Sequence, residues 1–143
     1  MRNPQTVANE IKNNVQAIAK YGCCAFTALW AVGVEPDVDS AAIEILNDAI
    51  NAGVIEKDCT VKWVDFYKWL IGKEIKVEFR EIKSLKELKN VKTWTGRIPV
   101  RFDYNGNSHW VGVQNSEIKF NSLEHSNCVE FGKPATARII TLA

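Results

Sequence analysis

Two adjacent cysteines, Cys23 and Cys24, stand directly after Gly22 and open the apolar run CCAFTALWAVGV, residues 23–34. A thiol becomes a nucleophile when its thiolate is stabilised, and the dipole and unpaired amides at a helix N-terminus do this. Such a thiol also needs a base, and the chain has two histidines, His109 and His125. His109 begins a strand just after Asn105-Gly106, a strong hairpin signal, so its imidazole is held rigidly near a sheet edge. His125 lacks that setting and reads as a loop or surface residue. The chemistry to which these residues point is covalent catalysis by cysteine with histidine as base. The residues alone leave another reading open: the doublet as small core residues, since free cysteine is among the most buried types, and His109 as a strand-end histidine.

The elements that must position these groups follow from periodicity. Asn3 or Thr6 caps a first helix running to about Lys20, with Val7, Ile11, Val15 and Ile18 at helical spacing. Residues 23–34 are apolar almost all round, as in a helix buried on several faces. Asp39 or Ser40 caps a third helix through Ala52, closed by Gly53, and a fourth runs from about Val61 to Ile71 before Gly72. Beyond Gly72 the pattern alternates, predicting strands over 75–82, 97–104, 109–114, 117–123 and 137–142 and a short helical piece over 84–91. The three strands around Asn105-Gly106 and Gln114-Asn115-Ser116 form an antiparallel meander. The expected fold class is α+β in a single domain, residues 1–143, with 1–72 mainly helical and 73–143 mainly sheet.

Composition narrows the partners. Eighteen basic against 17 acidic residues leave a net charge of +1, so no global field favours nucleic acid or an anionic membrane. No apolar run reaches the length of a signal-peptide core or a membrane span, and four cysteines without a C-x-x-C pair fit a reducing compartment. A cytoplasmic protein is expected. The two histidines lack metal-ligand spacing, so neither a metal nor another cofactor is expected, and the oligomeric state is left open. The lysines at 83, 86, 89 and 92 read as a solvated face, and the aromatics Trp63, Phe66, Tyr67 and Trp69 as a packing face.

The run Gly22-Cys23-Cys24-Ala25-Phe26-Thr27-Ala28 resembles the nucleophile segment of papain-like cysteine peptidases, small residue-Cys-Trp-Ala-Phe-Ser-Ala. That register puts Cys23 on the nucleophile and Cys24 on the tryptophan. The Gly-Cys motif of bacteriocin-processing peptidases superposes the same way. The chain is also similar to a family of spirochaete plasmid and prophage proteins built on a reduced papain-like core. The resemblance implies a papain-like fold, with a buried cysteine-bearing helix packed on the C-terminal antiparallel sheet. It implies Gln16, seven residues before Cys23, as the side-chain donor that joins the Cys23 amide in an oxyanion hole. It implies Asn121, within Lys119-Phe120-Asn121-Ser122-Leu123, as the residue orienting His109, although leucine replaces the family's tryptophan. Asp103, Asn107 and Asn127 are the fallback orienters. Gly22 and Trp110 fall at the substrate cleft, where Trp110 walls it or shields the His109–Asn121 bond. The 86 residues between Cys23 and His109 are few for papain itself, so its large substrate-binding lobes are missing.

Strand parity tests Asn121 independently, because a one-residue change of register moves a side chain to the other face. With Gln114, Asn115 and Ser116 as a three-residue loop, His109 pairs directly with Asn121. A two-residue turn puts them on opposite faces unless a bulge intervenes.

The expected function is a cysteine-dependent hydrolase of peptide or amide bonds, or an acyl transferase, acting on a peptide or protein. Cys23 attacks, His109 is base and then acid, Asn121 orients it, and Gln16 with the Cys23 amide holds the oxyanion. The rival is a catalytically inactive papain-like fold serving as an interaction or structural protein. A redox or metal-binding role requires Cys59 or Cys128 to approach the doublet.

Overall fold

Helices fill the first half of the chain and a sheet the second. The computed structural model describes the backbone of residues 1–11 and 16–143, and the side chains of 1–7 and 17–143. The stretch expected as one helix contains α1 (Pro4–Ile11) and α2 (Gln16–Tyr21), with 12–15 outside the described residues. Pro4 suits the first position of α1, where its missing N–H costs nothing. Next come α3 (Cys23–Ala31), α4 (Asp39–Asn51) and α5 (Trp63–Ile71).

Helix α3 is buried continuously from Ala25 to Ala31, as its all-round apolar sequence requires, and it stops before Gly33, whose φ of +81° leaves the helical region. The start of α4 departs from expectation. Extended Val38 precedes it with no side-chain cap, and the Asp39 carboxylate instead accepts the backbone amides of Arg2 and Asn3. Left-handed Gly72 closes α5.

The strands are β1 (Ile75–Glu81), β2 (Ile98–Tyr104), β3 (Asn107–Gln114), β4 (Glu117–Asn121) and β5 (Lys133–Leu142). They form one five-stranded sheet in the order β1-β5-β2-β3-β4, every neighbouring pair antiparallel, so the chain is α+β. Ser84 and Glu87 form a capping box on a 3-10 turn, Leu85–Leu88, where helical structure was expected. A short helix that periodicity does not predict, α6 (Asn127–Phe131), lies between β4 and β5, and β5 begins at Lys133 rather than Ala137.

Apolar clusters cover both faces of the sheet. On one, α3 and its helical neighbours bury Ile75, Phe120 and Ile140; on the other, Val100, Phe102, Val111, Val113 and Ile139 pack with Leu88 and Cys128. Helix α3 approaches β3 closely because Gly112 has no side chain: a Cβ there would lie 2.4 Å from the Trp30 ring. Trp30 stacks on Phe120 of β4, with centroids 6.0 Å apart and planes 12° from parallel. Among the described residues no helix is long and apolar enough to cross a membrane.

Candidate functional site

Cys23 is the first residue of α3, and Gly22 makes the junction with α2. The Gly22 amide donates to the Ile18 carbonyl at 2.9 Å, and a Cβ on Gly22 would lie 2.4 Å from that same oxygen. Gly22 is thus required by backbone crowding. It is not among the residues lining the cavity beside Cys23. Thr27, one turn into α3, donates from its hydroxyl to the Cys23 carbonyl at 2.7 Å and reaches the Trp110 carbonyl at 3.4 Å. This ties the start of α3 to β3.

Cys23 and Trp110 line one cavity, and the Trp110 backbone amide favours the Cys23 thiolate. On one side of Trp110, β2 is paired through Arg101; on the other, the last β4 pairing is Val111 with Asn121. Cys23 therefore lies near Trp110, on the part of β3 just past the end of β4. Burial pushes the Cys23 thiol above its ordinary 9.0, while the amides of Trp110, Cys24 and Cys23 itself draw it back down. Burial also pushes the Cys24 thiol far up and the Cys59 thiol up to about 11.

His109 and Asn121 meet on one face of the sheet, with His109 Nε2 2.7 Å from Asn121 Oδ1. The route differs from the expected three-residue loop. Asn115 and Ser116, at φ +55° and +62°, form a two-residue turn that pairs Gln114 with Glu117. A register shift between Gly112 and Val113 then pairs Val111 with Asn121. The bulge restores the parity that the shorter turn would break. Asn121 is consequently a diagonal neighbour of His109, not its direct partner.

The tautomer follows from the hydrogen bonds. The Leu123 backbone N–H donates to Asn121 Oδ1 at 3.0 Å, which fixes this atom as the amide oxygen. His109 Nε2 must then be the protonated donor, leaving Nδ1 with the free lone pair in the neutral ring. With His109 only 4% exposed, burial holds its pKa below the ordinary 6.5 against the opposing pull of the Asn121 bond.

The N-terminal segment clamps the Asn121 end of β4. Asn3 Nδ2 donates to the Asn121 carbonyl at 3.0 Å, and the Gln5 and Thr6 amides share the Ser122 carbonyl at 2.9 and 3.2 Å. The buried Gln5 side chain accepts from the Ser122 hydroxyl at 2.7 Å and donates to the Ala19 carbonyl at 3.1 Å, linking this clamp to α2. Periodicity marks none of these partners. Backbone α2 contains Gln16, whose side chain lies outside the described residues, so its expected oxyanion role has no geometry attached.

A cavity of about 340 Å³ opens at Cys23, lined in part by Cys24, Cys59, Trp63, Trp110 and Arg138. Alternation along β3 puts Trp110 on the opposite face from His109. Trp110 packs on Trp63, with centroids 6.0 Å apart, and lines the cavity, and from that face it cannot shield the His109–Asn121 bond. His109 is not among the lining residues. Cys59 does approach the doublet, as a redox or metal role requires, yet all four thiols are free. Among the described residues no group of three or more His, Cys, Asp or Glu is placed to hold a metal ion. Of the fallback orienters, Asp103 is engaged by Arg101 and Ser108.

Comparison with known protein families, curated proteins and solved structures found no match to this chain.

Proposed function

We propose that the chain is a reduced papain-like cysteine hydrolase or acyl transferase that attacks a peptide or amide carbonyl through Cys23. The observation that carries this reading is the His109 ring held by Asn121 with Nε2 protonated and Nδ1 free, on the strand residue next to Trp110, which shares a cavity with Cys23. With the imidazole and the thiol both neutral and buried, the reading calls for general-base catalysis at the moment of attack rather than a standing ion pair. His109 Nδ1 takes the thiol proton as the sulfur bonds to the carbonyl carbon. The Cys23 amide, with Gln16 as the resemblance implies, faces the developing oxyanion. Collapse of the tetrahedral intermediate breaks the C–N bond, and the departing amine takes the proton from His109. Water, or an acceptor amine in a transferase, then gives a proton to His109 as it attacks the thioester and releases Cys23.

Acylation of the intact protein by p-nitrophenyl acetate tests the pair without a known substrate. Peptide mass mapping is expected to find the acetyl group on Cys23, with formation slowed ~100-fold or more in His109→Ala. His109→Gln serves as a second variant should the alanine form unfold. Equal acetylation of all four thiols, or a rate indifferent to His109 in a folded variant, would overturn the reading. That result would favour a non-enzymatic interaction or structural protein, to which the burial that raises the Cys23 thiol also lends weight.

A further inference from the structure

Arg138 of β5 pairs across the sheet with Phe79 of β1, and its guanidinium carbon lies 4.5 Å from the Phe79 ring centroid and 5.0 Å from that of Trp110. The rings hold the guanidinium by cation–π contact but offer it no hydrogen-bond acceptor. Its Nη1 is buried without a hydrogen-bond partner, and among the described residues no carboxylate forms an ion pair with it. Nearby Arg101 is satisfied by both oxygens of Asp103, at 3.0 and 3.2 Å. Arg138 lines the cavity with Cys23 and Cys24. Asp58, the one acidic residue among the described residues along that cavity, accepts the Thr60 amide at 3.0 Å. A guanidinium stays charged at any physiological pH, and in this half-buried one the buried Nη1 is left without an acceptor unless something supplies one. Burial disfavours its charged form, Cys24 opposes that, and the Arg101 charge adds to it.

We infer that the cleft beside Cys23 takes an acyl substrate bearing a carboxylate, which Arg138 binds through its planar donor edge between Phe79 and Trp110. The substrate is then a peptide with an acidic side chain, or a free C-terminal carboxylate, close to the bond that Cys23 attacks. This deepens the cysteine-hydrolase reading and rests on it. Arginine suits the task because its fork matches the two oxygens of a carboxylate.

Two alkylating reagents that differ in charge test the site. Iodoacetate and iodoacetamide both react by thiolate displacement of iodide, forming the same C–S bond, but only the first carries a carboxylate. The ratio of their rates at Cys23, relative to glutathione, is expected to be raised ~10-fold and to fall by that factor in Arg138→Gln, with iodoacetamide little affected. Arg138→Lys is expected to retain part of the preference. A ratio equal to that of glutathione and indifferent to Arg138 would overturn the proposal.

Equilibrium binding separates this idea from catalysis. N-acetylglutamate amide, N-acetylglutamine free acid and N-acetylglutamine amide are titrated while the Arg138 Nε–H signal is followed by NMR. A response to the first alone assigns an acidic side chain, to the second alone a C-terminus, and equal response to all three defeats the carboxylate site. If p-nitrophenyl acetate leaves Cys23 unmodified while a carboxylate still binds at Arg138, the catalytic reading fails and the anion site stands. Acylation without carboxylate preference gives the converse.

Discussion

Asn121 Oδ1 lies 2.7 Å from His109 Nε2 and 3.0 Å from the Leu123 amide, so one oxygen serves an imidazole and a backbone donor together. The backbone donor cannot reverse its role, and the ring tautomer is set by that constraint. Asn121→Ala is expected to release the preference, giving mixed Nδ1-H and Nε2-H signals for His109 in ring ¹⁵N spectra, where the parent shows Nε2-H. Turnover or acylation at Cys23 is expected to fall ~10- to 100-fold. A single unchanged tautomer in the folded variant would show that burial, not Asn121, orients the ring.

The pH dependence has a defined sign. His109 is buried neutral with its folded pKa below 6.5, so the unfolded chain binds the proton more readily. Its contribution to stability is complete above 6.5 and is lost as pH falls from there through the folded value. Urea midpoints measured downward from neutrality are therefore expected to decline less in His109→Gln than in the parent protein. A parallel decline in both would remove His109 as the titrating group.

Cys23 sets the alkaline side. Its thiol is held above 9.0, so the fraction of thiolate, and with it the iodoacetamide rate, is expected to rise with pH and reach half its maximum above that value. A plateau already established near neutrality would reveal a thiolate–imidazolium pair and would reverse the protonation state assigned to the resting site.

Gly112 is expected to tolerate no substitution cheaply. An added methyl would lie 2.4 to 2.9 Å from three atoms of the Trp30 ring, which Phe120 stacks from another side. Gly112→Ala is expected to cost ~1–3 kcal/mol in chemical denaturation. It should also slow acylation of Cys23, since α3 carries both Trp30 and Cys23. Neutral stability with full reactivity would mean that Trp30 relocates freely.

The clamp on β4 gives a separable effect. Removing the buried Gln5 side chain leaves the Ser122 hydroxyl without its 2.7 Å acceptor, an expected loss of ~1–3 kcal/mol on Gln5→Ala. The Asn121 backbone signals are expected to shift more than those of Val100, which lies deeper in the same sheet. Uniform small shifts would show that Asn3 and Thr6 suffice.

The placement of Cys23, His109 and the three-stranded meander was legible because each rests on a local signal: a glycine before an apolar helix, an Asn-Gly turn, and alternation. The route to Asn121 was not, because two features with opposite effects on parity cancel. Gly112 marks the close approach of Trp30 but not the bulge, whose extra residue, Lys119, lies on β4 opposite the Gly112–Val113 step. Helix α6 spans five residues, too few for a periodic pattern to register. Arg138 was invisible for a different reason. Its importance arises from Phe79 and Trp110, far from it in sequence, and only register brings those three together.

The paired turn and bulge also constrain how the hairpin can change over generations. Adding or deleting one residue at Asn115-Ser116, a change that surface loops commonly absorb, would turn Phe120 to the His109 face and drive Asn121 into the space against Trp30. A second change of one residue near Gly112 would be needed to restore both. Viable length variants of this hairpin should therefore arise in coupled steps, and related chains that differ in turn length should differ in bulge as well.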